Sequence, residues 1–349
     1  MAFTHLHVHT EYSLLDGSNK ITSYVTKVKE AGMTSAAITD HGVMYGVIYF
    51  YKECSKQGIH PILGCEVYVA PHSRFEHEKT ESDDNYYHLI LLAENNTGYA
   101  NLMKLVSIGY AEGFYKKPRV DFETLEKYHE GLIALSACLA GQVPRLIQRH
   151  DYEGAKELAL KYEACFGKGN YFLELQDHGI AAQAEVNRQL LRMSEETGIE
   201  LVATNDCHYT NEKDATAHDI LLCIQTNKKV MDADRMRYEG GQFYVKTEEE
   251  MRQLFPYAQK ALDNTQKIAD RCHVDIEFGV TKLPHFNVPQ GYNSWSYLNH
   301  LCFEGLQNRY PKQQEETSSV SSPSYEQLEE RLHYELEVIH KMGYVDYFL

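Results

Sequence analysis

The stretch Thr4-His5-Leu6-His7-Val8-His9-Thr10 constrains this chain more than any other. Its histidines recur at a spacing of two. In a β-strand that spacing puts the imidazoles on one face and Leu6 and Val8 on the other. Several protonated imidazoles side by side would repel one another and be costly to bury. Neutral imidazoles aimed at a shared cation remove that difficulty, and imidazole is a common metal ligand. The alternation with Leu and Val, and the Ser13-Leu14-Leu15-Asp16-Gly17 turn that follows, separate the stretch from an unstructured histidine-rich tail.

With 349 residues the chain suits one large α/β domain plus something smaller, or two to three modest domains. Hydrophobic content of 43% and charged content of 24% are those of a globular protein. No apolar run reaches the length of a membrane span, and the N-terminus lacks a secretory signal. The cysteines (Cys54, Cys65, Cys138, Cys165, Cys207, Cys223, Cys272 and Cys302) are scattered, with no C-x-x-C pair. A zinc ribbon therefore has no support, and the expected setting is reduced and cytoplasmic. A net charge of −16 argues against a surface that coats nucleic acid non-specifically. It leaves open nucleic acid at a metal-lined site, where cations supply the positive charge.

Strand-like and helix-like runs alternate through the first two-thirds of the chain. Expected strands are 3–9, 35–39, 59–69, 86–93, 131–137, 171–176 and 200–204. Expected helices between them are 21–32, 44–57 closed by Gly58, 97–112, two segments in 142–166 hinged near Asp151, and 181–197 stopped by Gly198. Residues 72–85 read as a solvated acidic loop and 115–119 as a small basic loop. Serial βα units with apolar strands imply a parallel sheet covered by helices, most simply a closed or nearly closed barrel with its site at the C-terminal strand ends. After about residue 210 helical patterns dominate. Three regions are expected: a barrel core at 1–210, a helical part at 211–290, and a further helical segment at 291–349 with a flexible linker near 313–324.

His7, His9, Asp16, His41, Glu66, His88, Cys138, Asp206 and His208 fall at or near the strand ends. They are too many for one ion and suit two or three. Mixed imidazole and carboxylate favours Zn, Mn or Fe over Ca or Mg. Such a cluster would clamp a phosphate and generate a hydroxide nucleophile at neutral pH, the chemistry of phosphate-ester hydrolysis. Each residue also has a plainer reading. His41 could close a strand-end turn with Asp40, His88 could be a satisfied core histidine, and Cys138 a small buried hydrophobe. Glu66, inside an apolar strand, needs a cationic partner. Glu174 and His178 are weaker candidates for outer-shell or substrate contact, and the Lys116–Arg119 loop for a phosphate backbone.

His-Leu-His-Val-His-Thr, Ser13–Gly17, Thr39-Asp40-His41-Gly42, Gly64-Cys65-Glu66, Tyr87-His88-Leu89, Leu135–Gly141 and Thr204–Tyr209 resemble the PHP (polymerase and histidinol phosphatase) domain family. More narrowly, they resemble the PHP domain of bacterial DNA polymerase III alpha subunits. Residues 331–339 and 343–349 are similar to the start of the palm region of those polymerases. The resemblance implies an α/β fold, a distorted seven-stranded (βα)7 barrel followed by a mainly helical extension, with a trinuclear metal site at the barrel mouth. The nine residues above match the family's ligand positions without departure, and His5 stands where many members carry Asp, as an outer-shell residue. Asp206, Glu66 and His208 are the residues expected to act in catalysis, Glu66 by bridging ions and Asp206 by taking a proton. The implied activity is 3′–5′ exonuclease proofreading on DNA within a replicative DNA polymerase. The polymerase carboxylates that bind Mg would lie beyond Leu349, so this chain alone should not polymerise. Implied partners are a DNA primer-template, a sliding clamp, a clamp loader and a proofreading exonuclease subunit, with no membrane. Two alternatives stay open: a free-standing small-molecule phosphatase of the histidinol-phosphatase type, and a non-catalytic metal-stabilised scaffold.

Overall fold

The computed structural model describes residues 2–77, 84–280, 282–311 and 323–349. Residues 78–83 of the expected acidic loop and most of the expected linker at 313–324 lie outside these. The chain divides into two compact units, Met1–Asp275 and Ile276–Leu349.

In the first unit the strands are β1 (Ser35–Ile38), β2 (His60–Val69), β3 (Tyr87–Ala93), β4 (Phe114–Tyr115), β5 (Lys117–Val120), β6 (Leu132–Leu135), β7 (Tyr171–Leu175) and β8 (Leu201–Ala203). The order is β4-β5-β2-β3-β6-β7-β8, with β1 also paired to β2. The N-terminal segment completes a circuit. Thr39 donates its backbone N–H to the Val8 carbonyl at 2.9 Å, Cys207 donates to His7 at 3.0 Å, and His9 donates to Cys207 at 2.9 Å. Residues 7–9 therefore lie between the end of β1 and the continuation of β8. Seven chain segments run round the barrel: 7–9, β1, β2, β3, β6, β7 and β8.

Three expectations need correction. The 3–9 stretch is not a regular strand. It makes bridges at Val8 and Thr10 and bends at His7. The bend breaks strict alternation, so Leu6 packs in the interior with Ile62, Ile90 and Phe172 while its neighbour His7 also reaches the interior carboxylates. The sheet is mixed rather than parallel, because β3 runs antiparallel to both β2 and β6. A parallel pair needs a crossover element, and the described residues between β2 and β3 contain no helix. Finally, 115–119 is not a free loop. Phe114 pairs with Pro118 and Tyr115 with Lys117, and β5 then adds to β2 in parallel. Arg119 is buried and donates to the carbonyls of Gly113, Asn85, Arg74 and Glu76. It ties loops together, with four of its five N–H donors spent on backbone carbonyls.

The helices follow local chemistry. Ile21, Tyr24, Val25 and Val28 share the buried face of Ile21–Glu30, the 3.6-residue spacing visible in the sequence. Val47–Gln57 and Ala181–Thr197 end at Gly58 and Gly198, both left-handed. Gln259–Ala269 packs Ile268 and Ala269 into the interior cluster. The second unit holds the helices Ser294–Arg309, Tyr325–Lys341 and Val345–Phe348. Its internal packing is aromatic: Trp295 stacks on His340 at 4.3 Å, and Phe303 lies 4.8 Å from His333. No helix among the described residues is long and apolar enough to cross a membrane.

Candidate metal centre

Glu66 sits fully buried on β2 with histidines on both sides. Its Oε2 is 2.7 Å from His7 Nε2 and 3.4 Å from His9 Nε2. Its Oε1 is 3.0 Å from His41 Nδ1 and also contacts His88 Nδ1. Asp206 Oδ1 lies 3.1 Å from both His7 Nε2 and His9 Nε2. Asp16 Oδ2 is 3.2 Å from His41 Nε2, and its Oδ1 is 3.7 Å from His208 Nε2. Cys138 is at the edge, its Sγ 3.7 Å from His88 Nδ1. All nine residues singled out from the sequence thus meet in one place, drawn from seven loops and strands.

A surrounding layer aims these side chains. Glu174 on β7 accepts the Nδ1–H of His7 at 2.7 Å, which turns Nε2 toward the cluster, and itself accepts from Gln176 at 3.0 Å and from Thr204. The weaker candidate Glu174 is therefore an orienting residue. Its companion His178 is not: it bonds the Asn205 carbonyl and Gln183 and stacks on Phe243, and burial lowers its pKa to about 4. His208 donates Nδ1–H to the Asp206 carbonyl at 2.8 Å, leaving Nε2 for the site. Asp40, the expected turn partner of His41, accepts instead from the Thr10 backbone, the Thr10 hydroxyl and Ser13. Ser13 in turn lies 3.3 Å from His9 Nδ1. His5 belongs to a different contact, 2.8 Å from the Lys246 carbonyl.

One site residue escaped sequence reading altogether. The Tyr238 hydroxyl stands 3.2 Å from His208 Nε2 and 3.4 Å from Asp16 Oδ1. It comes from an irregular stretch with no periodicity and no motif, so no signal in the chain marks it.

The backbone is strained where it delivers ligands. Leu15, Ala137 and Asp206 all hold positive φ, beside Asp16, beside Cys138 and at Asp206 itself. Non-glycine residues in this region cost on the order of 1–3 kcal/mol each and cluster at functional sites. Gly17 shows why the Asp16 loop can close: a Cβ there would come within 2.2 Å of the Thr10 carbonyl oxygen.

Electrostatics follow from packing carboxylates among imidazoles. Burial opposes the ionisation of Glu66, yet His88, His41 and His7 outweigh it and hold the carboxyl well below the usual range. Asp206 is likewise held low against burial, chiefly by His7. Burial disfavours charge on His41, but Glu66 and Asp16 raise it to about 10, and His7 is raised by Asp206 and Glu174. In His208 burial wins and the pKa falls to about 3.

The donor set fits divalent cations. Three groups place their ligand atoms within 4.8 Å of one another: His7, His9, Glu66 and Asp206; His41, Glu66 and His88; and His9, His41 and His208. His7 Nε2 and His9 Nε2 face each other at 3.0 Å. His41 Nε2 and Asp206 Oδ1, though close to charged partners, are buried without an aligned hydrogen bond. Imidazole nitrogens and carboxylate oxygens packed this closely are a donor set that a divalent cation can bridge.

Residues 5–178 match the family described as PHP domain, and residues 296–349 match the one described as Bacterial DNA polymerase III alpha NTPase domain. The chain is 46% identical over 350 residues to the DNA polymerase III subunit alpha of Treponema pallidum, covering 100% of this chain and 29% of that one. It is 46% identical over 349 residues to the DNA polymerase III subunit alpha of Borreliella burgdorferi, covering 99% of this chain and 29% of that one. The chain therefore spans less than a third of either relative. Among solved structures, a Bacteroides vulgatus protein described as containing a predicted PHP-like metal-dependent phosphoesterase aligns over 76% of this chain and 63% of its own, at 15% identity and a TM-score of 0.38.

Proposed function

Since the chain belongs to the PHP-domain family and aligns along its whole length with DNA polymerase III alpha subunits, we propose that it forms part of a bacterial replicative DNA polymerase and that its carboxylate–imidazole cluster hydrolyses phosphodiesters of DNA. The observation that carries this reading is Glu66, one buried carboxylate with an oxygen toward His7 and His9 and the other toward His41 and His88. A carboxylate so flanked can be shared between two cation positions.

The three donor groups would hold two to three divalent transition ions, Zn, Mn or Fe, with Asp16 and Cys138 at the periphery. Such ions supply positive charge against a phosphate and acidify water. The chain's own residues do the rest. Asp206 stays ionised and offers Oδ1, which has no aligned donor, as a proton acceptor. His208 stays neutral, so its Nε2 keeps an electron pair toward the site. Glu174 fixes the His7 ring. The substrate is the 3′ end of a DNA strand, and the activity is exonucleolytic proofreading. Primer-template, sliding clamp, clamp loader and a proofreading exonuclease subunit are the partners, and the setting is the cytoplasm.

Two substitutions test the assignment. Asp206→Asn should cut 3′-nucleotide release from labelled single-stranded DNA by about 100-fold or more, the scale of a lost general base. If metal content by elemental analysis and nuclease rate both stay at wild-type values, or if only histidinol phosphate is turned over, the reading fails. Glu174→Gln should weaken metal affinity by roughly 10–100-fold while leaving the fold intact, as for other outer-shell partners of a ligating histidine. Competition with a fluorescent chelator measures this, and an unchanged affinity would remove Glu174 from the orienting role.

A further inference from the structure

Beside the cluster opens a cleft of about 230 Å³ that no step above uses. Asp16 and His41 of the cluster line it together with Tyr45, Tyr68, Tyr110, Phe114, Lys116 and Lys117. Resting on the phosphodiesterase reading, we propose that this cleft is the subsite for the nucleotide adjoining the scissile phosphate of a DNA single strand. Its aromatics stack the base, and Lys116 and Lys117 hold the neighbouring phosphate.

Three observations converge. The first is continuity with the cluster. The Tyr68 ring stacks against His41 with centroids 6.3 Å apart, and Lys117 Nζ lies over the Tyr68 ring, 5.3 Å from its centroid. Tyr68 thus contacts both His41 of the cluster and Lys117, and all three line the cleft. Gly42, directly after His41, permits this approach: a Cβ there would meet Tyr68 at 2.8 Å and Pro118 at 3.0 Å.

The second is chemistry. Tyr45 is 61% exposed, Phe114 55% and Tyr110 41%, although buried positions for aromatics abound in this fold. Tyr45 and Tyr110 are hydrogen-bonded to each other. Exposed aromatic faces beside cations are what a single strand requires: stacking tolerates any base, and lysines meet the backbone. In a chain of net charge −16, paired lysines at the mouth of a carboxylate-rich site supply attraction for an anion that the surface as a whole does not.

The third is the turn itself. Lys116 sits at the tip of the β4–β5 hairpin with φ of 62°. Glycine or asparagine would adopt that conformation at less cost. The strained turn fixes the backbone from which the cation projects, which limits the ordering cost on binding.

The test uses the full 349-residue chain, the double variant Lys116→Gln/Lys117→Gln, and Phe114→Ala. All three substituted side chains are at least partly exposed and outside the donor set, so the fold should persist. Binding is read by anisotropy of a fluorescent DNA single strand of about eight nucleotides. Phe114→Ala should raise Kd roughly tenfold, the scale of one lost stacking contact. The lysine variant should lower the slope of log affinity against log salt by about 1.4, two backbone contacts at about 0.7 each. If Kd and salt slope are the same in both variants as in wild type, the cleft assignment is overturned, whatever the hydrolytic rate. If no diester is hydrolysed but strand binding still depends on these residues, the cleft stands and the phosphodiesterase reading falls.

Discussion

Glu66→Gln is expected to empty the metal centre and to lower the stability of the first unit at the same time. Glu66 is fully buried and its two oxygens touch four imidazoles of the cluster. His41 is held near a pKa of about 10 against its burial chiefly by that carboxylate. In the ion-free protein, loss of that charge leaves the histidines either to lose protons or to stay charged without compensation. Removing one partner of a buried ion pair costs about 3–5 kcal/mol. The isosteric amide keeps the volume, so a large loss reports charge rather than packing. Hydrolysis of single-stranded DNA should fall by more than about 100-fold, the upper end of the loss for outer-shell partners, because Glu66 is proposed to contact the ions directly. Elemental analysis, nuclease rate and thermal denaturation are the measurements. A variant with wild-type metal content and rate would show that Glu66 does not bridge. Glu66→Asp, which keeps the charge but retracts the oxygens, should retain more stability than Glu66→Gln while still losing rate.

Metal removal should have the second largest effect. A ligand present at about 1,000 times its dissociation constant stabilises the native state by about 4 kcal/mol. For a unit of this size each kcal/mol moves Tm by roughly 2–4 °C, so stripping the ions should lower Tm by roughly 8–16 °C. Dialysis against dipicolinate, followed by calorimetry and then by re-addition of Mn or Zn, gives the shift and its reversal. Asp206→Asn should lose most of the shift, which ties it to the centre rather than to ions bound elsewhere. A Tm that does not respond to chelation or to added metal in wild-type protein would argue against both the catalytic and the bracing use of the centre.

Most of the proposed ligands were legible in the chain because they lie in short, chemically odd contexts. A histidine every second residue, a glutamate inside an apolar strand, and Asp206-Cys207-His208 at a strand end have few uses other than a shared cation. The helix stops at Gly58 and Gly198 were legible for a similar reason, since left-handed termini favour glycine on purely local grounds. What could not be read was pairing. Apolar β-strand composition is the same whether a neighbour runs parallel or antiparallel, so the reversal at β3 has no local signature. The basic stretch at 115–119 reads as solvated because Lys and Arg usually are, yet tertiary carbonyls bury Arg119 and the hairpin presents Lys116 and Lys117 to a cleft.

The sequence by itself determined the donor types, their number and the chemistry they can support, because those properties belong to side chains. Only the tertiary structure decided that Glu66 stands between two pairs of histidines, that Glu174 rather than His178 steadies the site, and that Tyr238 reaches it from more than two hundred residues beyond Asp16. It also decided that His5 leaves the row of histidines that the spacing predicts. The bend at His7 turns His7 and His9 to the carboxylates while His5 goes to the Lys246 carbonyl. Spacing fixes only which face a residue occupies on an ideal strand. Which groups that face meets depends on the backbone hydrogen bonds made by residues distant in the chain, here those of Thr39 and Cys207.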